Sequence, residues 1–489
     1  MLYNSVFFIT IFLPIALGGW VLFNKLSYRT LAKVFVVGMS LWFYAYYNIS
    51  YLWIILASIA LNYGLSFLME HLKDERHGLR KALWLTGLLG NVGMLFYFKY
   101  LNFFIDNCNF FFHSDIHIEK IALPLGISFF TFQQILFLTD RYTGDARHYA
   151  PADYAFYVTF FPQLVAGPIV RHDTFIPQVV SERSGRISAD DLYRGLSLFA
   201  LGLAKKVLLA DYMGVLVNAE YNNIPWLDTP SAWCVICFYM MELYFDFSGY
   251  SDMSRGIGRM FGIDIPRNFN SPFKSGSVKD FWRRWHITLG GFLTKYIYIP
   301  LGGNRRGRAR QCINLFIVFM VSGIWHGANW TFIVWGLMHA LAVVFETAFP
   351  KARFKKAWIN RVITFLYVTL SFSVFRADSL SNAAELWRKL FGFSFRGCFL
   401  GMCNTLAFPE NFAIRKFLEM TAPGLVNPLF VTTFLIITFT GILAICGMQG
   451  EEWIEKKGHT RLGGFIIATL FVWSFISLSQ VSVFLYFNF

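Results

Sequence analysis

The stretch Tyr51-Leu-Trp-Ile-Ile-Leu-Ala-Ser-Ile-Ala-Leu-Asn-Tyr-Gly-Leu-Ser-Phe-Leu-Met-Glu70 carries no charge before its last residue. A helix of about 20 apolar residues is long enough to cross roughly 30 Å of hydrocarbon. The run ends in His71-Leu-Lys-Asp-Glu-Arg-His-Gly-Leu-Arg-Lys81, a basic connection of the kind that stays on the cytoplasmic side of a membrane. Similar blocks recur over 5–24, 31–48, 82–98 and 121–140, then 205–218, 232–250, 311–330, 332–349, 362–376, 429–448 and 463–485. With 51–70 they make twelve crossings and place both termini outside.

Composition agrees. Of 489 residues, 56% are apolar, 19% aromatic and only 15% charged, and the mean hydropathy is +0.48. These values exclude a secreted disulfide scaffold, a disordered chain and a conventional nucleic-acid binder, and they point to an all-α polytopic membrane protein. The net charge of +14 has a membrane explanation, because Lys25 and Arg29, the loop 351–361 and the loop 456–461 all fall on the inner side of the same topology. The first apolar run lacks a preceding basic region and a small-residue cleavage site, so it reads as a retained span. The chain reads as one membrane domain over 1–489. Seven cysteines, mostly within apolar sequence, imply no disulfide framework. Cys234 and Cys237 form a CxxC whose readings are packing or a redox or zinc role.

Two regions break the regular pattern. Tyr154 to Val170 is apolar but contains Pro162, Gly167 and Pro168, and arginines at 147 and 171 bound it on what should be one side. A re-entrant segment satisfies both facts, and its non-helical backbone requires protein groups or water as partners. From Arg267 to Arg310 there are ten Lys or Arg against the single acid Asp280, interleaved with Phe281, Trp282, Trp285, Phe292, Tyr296 and Tyr298. That mixture suits helices lying in the membrane interface.

Ionisable groups at membrane depth are costly, so each is a functional candidate, with packing as the alternative. His326, in Val321-Ser-Gly-Ile-Trp-His-Gly-Ala-Asn-Trp330, lies about 15 residues past the basic edge, roughly 23 Å along a helix. Its unperturbed pKa of about 6.5 suits proton transfer near neutrality. His286, at the cytoplasmic end of Asp280-Phe-Trp-Arg-Arg-Trp-His286, is a second imidazole or an interfacial anchor. Glu242, Asp246 and Asp252 offer carboxylates that orient a histidine or pair with Arg255 or the basic loop, Glu242 and Asp246 sharing a helix face. His113-Ser-Asp-Ile-His117 has metal-ligand spacing without a third ligand, and no metal is assigned. No GxSxG serine elbow is present.

Several blocks together resemble one family. They are Gln163-Leu-Val-Ala-Gly-Pro-Ile-Val-Arg171, Tyr244-Phe-Asp-Phe-Ser-Gly-Tyr-Ser-Asp-Met253, Asn268-Phe-Asn-Ser-Pro272, Asp280-Phe-Trp-Arg-Arg-Trp-His-Ile-Thr288, Tyr298-Ile-Pro-Leu-Gly-Gly-Asn-Arg305, Trp325-His-Gly-Ala-Asn-Trp330 and Phe375-Arg-Ala-Asp378. In this order the chain resembles the membrane-bound O-acyltransferases, in the branch of the alginate O-acetylation membrane protein, with a family-like core over about 120–380.

The resemblance implies a bundle of 11–12 transmembrane helices with re-entrant and interfacial helices around a central tunnel. It implies acyl transfer at His326 with His286 as the second histidine, and it marks Arg283, Arg284, Trp285, Trp325, Asn329, Asp246 and Asn270 as substrate- or donor-binding candidates. The donor it implies is acetyl-coenzyme A or an acyl carrier thioester. The acceptor is a cell-envelope polysaccharide, alginate-like or peptidoglycan, reached through an extracytoplasmic partner protein at a bacterial inner membrane. D-alanyl transfer to teichoic acid stays open, as do a transporter or channel motivated by Lys205 and Lys206, and a non-catalytic scaffold.

Overall fold

The computed structural model describes residues 1–72, 76–181, 184–403, 405, 412–421, 428–479 and 485. Among them every regular element is helical. Five helices are each long and apolar enough to cross a bilayer: Phe8–Lys25, Tyr51–His71, His77–Phe112, Trp330–Ala348 and Ala357–Arg376. The pair Thr433–Ile445 and Gly450–Gly458 passes the same test jointly but bends by 85°. Most remaining expected spans coincide with helices that are shorter than 18 residues or that carry several polar and charged side chains. Arg29–Ala45, Ile127–Thr143, Thr229–Met260, Gly307–His326 and Arg461–Ile476 are of this kind. The last covers only the start of the expected span 463–485, most of whose remainder lies outside the described residues.

Two expected boundaries move outward. The span read at 82–98 continues as one helix from His77 to Phe112, 36 residues long. The sequence stops it early because Lys99 and Asn102 interrupt the apolar run, yet the Lys99 ammonium reaches the Ser128 hydroxyl (3.4 Å). The span read at 205–218 is the second half of an unbroken helix over 189–221.

The chain forms two compact units. The first comprises Met1–Gly202, Tyr250–Asn268 and Ile454–Phe489, and the second comprises Leu203–Gly249 and Phe269–Trp453.

Within the first unit, the expected break over 154–170 is present. Helix Pro151–Thr159 stops, a single turn forms at Phe161–Leu164, and helix His172–Val180 starts after an irregular stretch. Its residues are almost completely buried, so the backbone groups released from helical pairing need protein partners. Side chains supply them. Tyr3 donates to the Phe161 carbonyl (2.8 Å), Ser254 to that of Pro162 (2.5 Å) and Tyr157 to that of Val170 (2.9 Å), while Ser40 Oγ accepts the Phe161 N–H (3.2 Å). Gln163 donates to the Tyr157 carbonyl.

Gly126, which opens helix Ile127–Thr143, has φ +72°. A Cβ there would stand 2.8 Å from the Leu164 carbonyl oxygen and 3.1 Å from Val165 Cα. This glycine therefore serves both the turn and the close approach of the broken segment. Gly126→Ala is expected to lower stability by more than the about 1–2 kcal/mol of a left-handed alanine. Gly144→Ala, at φ +87° with open space around it, should lose only that conformational amount. Thermal unfolding of the two detergent-purified variants measures the difference.

Candidate active site

The second unit contains a tight helix reversal. Helix Gly307–His326 ends at the imidazole, residues 327–329 are non-helical, and helix Trp330–Ala348 returns. The two helices touch backbone to backbone. A Cβ on Gly323 would lie 3.0 Å from Gly336 Cα and 2.7 Å from the Phe332 carbonyl oxygen, and one on Gly327 would enter the Phe332 ring at 2.1 Å. Small residues here are thus required by space, as in close membrane helix pairs. Asn329 caps the returning helix, its Oδ1 accepting the Thr331 N–H (3.1 Å) while its amide donates to the Asp378 carbonyl (2.9 Å). That bond joins the blocks Trp325–Trp330 and Phe375–Asp378, so Asn329 acts on the loop that holds His326.

His326 is 4% exposed. Its ring packs among Trp325 (5.0 Å between centroids), Trp335 (5.0 Å, edge-on) and Phe375 (5.3 Å). His286 is also buried and occupies the left-handed region at φ 47°, between helices Val278–Arg284 and Ile287–Leu293. A non-glycine residue held there stores strain, a feature that clusters at functional sites. The His286 ring stands edge-on to Phe247 at 4.8 Å and 6.4 Å from the Trp325 indole. Trp325 thus contacts both imidazoles and brings the two sequence candidates into one neighbourhood. His286 lies outside the expected spans, and burial lowers its pKa to about 3, because desolvation disfavours the imidazolium.

A third histidine, His339, escapes the sequence reading because it falls in no recognised block, although it lies inside the span 332–349. The Trp282 indole N–H donates to its Nδ1 (3.2 Å), so its proton sits on Nε2 and is given to Ser371 Oγ (2.8 Å). Ser371 in turn donates to the Val368 carbonyl (2.8 Å). His339 and His326 both pack against one indole, Trp335 lying 4.9 Å from the one and 5.0 Å from the other.

The remaining candidates separate. Asp246 pairs with Lys206 at 2.6 Å, and Lys206 also holds Asp211 at 2.8 Å. The structure therefore gives Asp246 an ion-pair partner other than Arg255 or the basic loop, and it supplies Lys206 with two carboxylates. Trp285 is a core residue, stacked on Phe281 at 5.3 Å and edge-on to Phe269 at 5.0 Å. Arg284 binds Asp280 (3.1 Å) and the Asn270 carbonyl (3.3 Å), and the Asn270 N–H returns a bond to the Arg284 carbonyl (2.9 Å). These pairings fix the turn around Asn270. Arg283, one position earlier, is exposed on a pocket.

Residues 41–375 match the membrane-bound O-acyltransferase family. The chain belongs to this family. It is 35% identical to a peptidoglycan O-acetyltransferase of Helicobacter pylori, over all of this chain and 98% of that protein. It is also 35% identical to a probable alginate O-acetylase of Pseudomonas aeruginosa, over 80% of this chain and 75% of the relative. A teichoic acid D-alanyltransferase of Bacillus subtilis is 30% identical over 51% of this chain and 68% of its own length. The protein is accordingly a multi-pass membrane acyltransferase.

The depressed pKa of His286 makes a prediction with a definite sign. Below about pH 6.5 the unfolded chain binds a proton at this position that the folded chain refuses, so stability falls as pH drops from 6.5 towards about 3. One such group contributes a slope of at most about 1.4 kcal/mol per pH unit. Thermal unfolding across this range should show a shallower acid decline for His286→Gln than for the unaltered protein.

Proposed function

We propose that this protein transfers an acetyl group from a thioester donor on the cytoplasmic side to a hydroxyl acceptor on the other side of a bacterial inner membrane. The final product is an O-acetylated cell-envelope polysaccharide, peptidoglycan or an alginate-like polymer, completed with a separate extracytoplasmic partner. A single acyltransferase domain carries the reaction. The observation that carries this reading is the buried His326 imidazole at the Gly327–Asn329 reversal, with Trp325 spanning between it and His286.

In the proposed step, His326 takes the proton of the acceptor hydroxyl while its oxygen attacks the thioester carbonyl carbon. The tetrahedral intermediate collapses with loss of the carbon–sulfur bond, and the imidazolium returns its proton to the leaving thiolate. His286 belongs to the same neighbourhood, where Trp325 couples its position to that of His326. Trp285 supports this site through Phe372, which packs on Trp335, and Asp246, paired with Lys206, adjoins Phe247, the ring edge-on to His286. Asn270 and Arg284 hold the loop before His286.

Acetyl rather than D-alanyl transfer is favoured by the match along the whole chain to the H. pylori peptidoglycan O-acetyltransferase, against half the chain for the teichoic acid enzyme. A transporter reading loses its motive at Lys206, whose charge is balanced by two carboxylates.

His326→Ala is expected to reduce transfer from radiolabelled acetyl thioester to a hydroxyl acceptor by about 10²- to 10⁴-fold, with the melting temperature of the purified protein preserved within a few degrees. Transfer at the original rate by a folded His326→Ala protein removes the base assignment. Polysaccharide acetylation in cells that continues unchanged with this variant supports the scaffold alternative instead.

A further inference from the structure

Attack on a thioester carbonyl leaves negative charge on its oxygen, and a hydrogen-bond donor fixed in advance stabilises that charge in acyl-transfer enzymes. The acyl transfer proposed above is the reading on which such a donor depends. Three polar hydrogens in the elements around His326 are spent within the protein. The Trp282 indole N–H goes to His339 Nδ1 (3.2 Å), the Asn329 amide to the Asp378 carbonyl (2.9 Å) and the Tyr367 hydroxyl to the Met338 carbonyl (2.6 Å).

Trp335 differs from these. It is fully buried, and its indole N–H has no hydrogen-bond acceptor among the described residues, the His326 imidazole included. Burying a donor in this way is costly, and native interiors seldom keep one without a reason. The indole is also held where it stands. Its ring packs against His339 (4.9 Å between centroids), His326 (5.0 Å), Phe375 (5.1 Å), Phe372 (5.5 Å) and Trp282 (5.6 Å). The phenylalanines and the tryptophan offer no acceptor atom, and both nitrogens of His339 are engaged. The adjacent Gly336 is pressed against Gly323, which fixes the backbone that carries the indole. One turn earlier on the same helix face, the Thr331 hydroxyl is likewise buried without a partner. Two unspent donors on one face, beside the candidate base, suit a ligand that arrives with lone pairs.

We propose that the Trp335 indole N–H is an oxyanion donor, binding the carbonyl oxygen of the acyl thioester beside His326. The 5.0 Å between the two ring centroids lets one carbonyl group lie within reach of both side chains. As the acceptor oxygen bonds to the carbonyl carbon, the π pair of the C=O bond moves onto its oxygen and the Trp335 hydrogen bond tightens. Collapse restores the C=O bond and breaks the carbon–sulfur bond, and the thiolate takes the proton that His326 removed from the acceptor. The indole keeps its own proton throughout. Because it is a donor only, it favours the oxyanion without competing with His326 for the proton in transit.

The test uses the full chain in lipid nanodiscs, with radiolabelled acetyl-coenzyme A as donor and a peptidoglycan oligosaccharide as acceptor. Trp335→Phe removes the N–H and keeps an aromatic ring. Replacing Trp335 by 3-benzothienylalanine keeps both rings and puts sulfur where the N–H was. Each change is expected to lower kcat by about 10²-fold, the loss typical of one oxyanion donor. KM for the donor should change by less than about two-fold, because the bond strengthens only in the transition state. Trp53→Phe, at an exposed indole, should leave both constants unchanged.

A second readout needs no turnover. In protein carrying isotopically labelled tryptophan, the indole N–H resonance missing from Trp335→Phe belongs to Trp335. A ketone analogue of acetyl-coenzyme A, with a methylene in place of the sulfur, should move that resonance downfield. Coenzyme A itself, which lacks the acyl carbonyl, should not. A resonance that the ketone leaves in place overturns the donor assignment whatever the rates. His326-dependent transfer at an unchanged kcat by the benzothienylalanine protein also overturns it, and leaves the acyl-transfer reading standing. So does a loss of kcat confined to Trp335→Phe and accompanied by a lower melting temperature. A downfield shift with no transfer by the unaltered protein sinks the acyl-transfer reading and keeps the carbonyl contact.

Discussion

Gly323 and Gly336 press the backbones of two antiparallel helices together, and the position of His326 follows from that contact. With no side chains between them, the helices approach closely enough for the chain to reverse in three residues, and Trp335, one residue from Gly336, meets the imidazole edge-on. Asn329 then fixes the reversal from both sides, capping one helix and bonding the Asp378 carbonyl. Any larger residue at 323 or 336 would shift His326 relative to Trp335 and Phe375, and a shift of about 1 Å is enough to matter for proton transfer.

A second constraint is the lack of water in hydrocarbon. Protein groups stand in for water at several points: four side-chain hydroxyls and the Gln163 amide serve the broken segment over 154–170, Lys206 is shared by two aspartates, and His339 is bonded at both nitrogens. His339 is therefore committed to structure.

Much of this was readable from the residues in order. Uncharged runs such as Tyr51–Met69 announce spans because length alone satisfies the bilayer, and Pro162, Gly167 and Pro168 announce the break because proline interrupts a continuing helix and glycine weakens it. What sequence spacing hides is pairing at a distance. Asp246 and Lys206 are forty residues apart, and nothing local joins them. Arg283 and Arg284 are adjacent and chemically identical, yet the helical turn sends Arg284 to Asp280 and Arg283 to the pocket. Lys99 looked like the end of a span because its partner Ser128 belongs to another helix.

That misread boundary has its own consequence. A helix of 36 residues is about 54 Å long if straight, and tilting it by 40°, the upper end of the usual range, still leaves it about 41 Å tall against about 30 Å of lipid tails. Tyr97, Phe104, Phe110, Phe111 and Phe112 are exposed along its second half. The surrounding leaflet must swell to meet these rings, or the end of the helix must ride among the headgroups. In the first case the protein imposes a local thickness on its membrane and so selects the lipids that sit beside it.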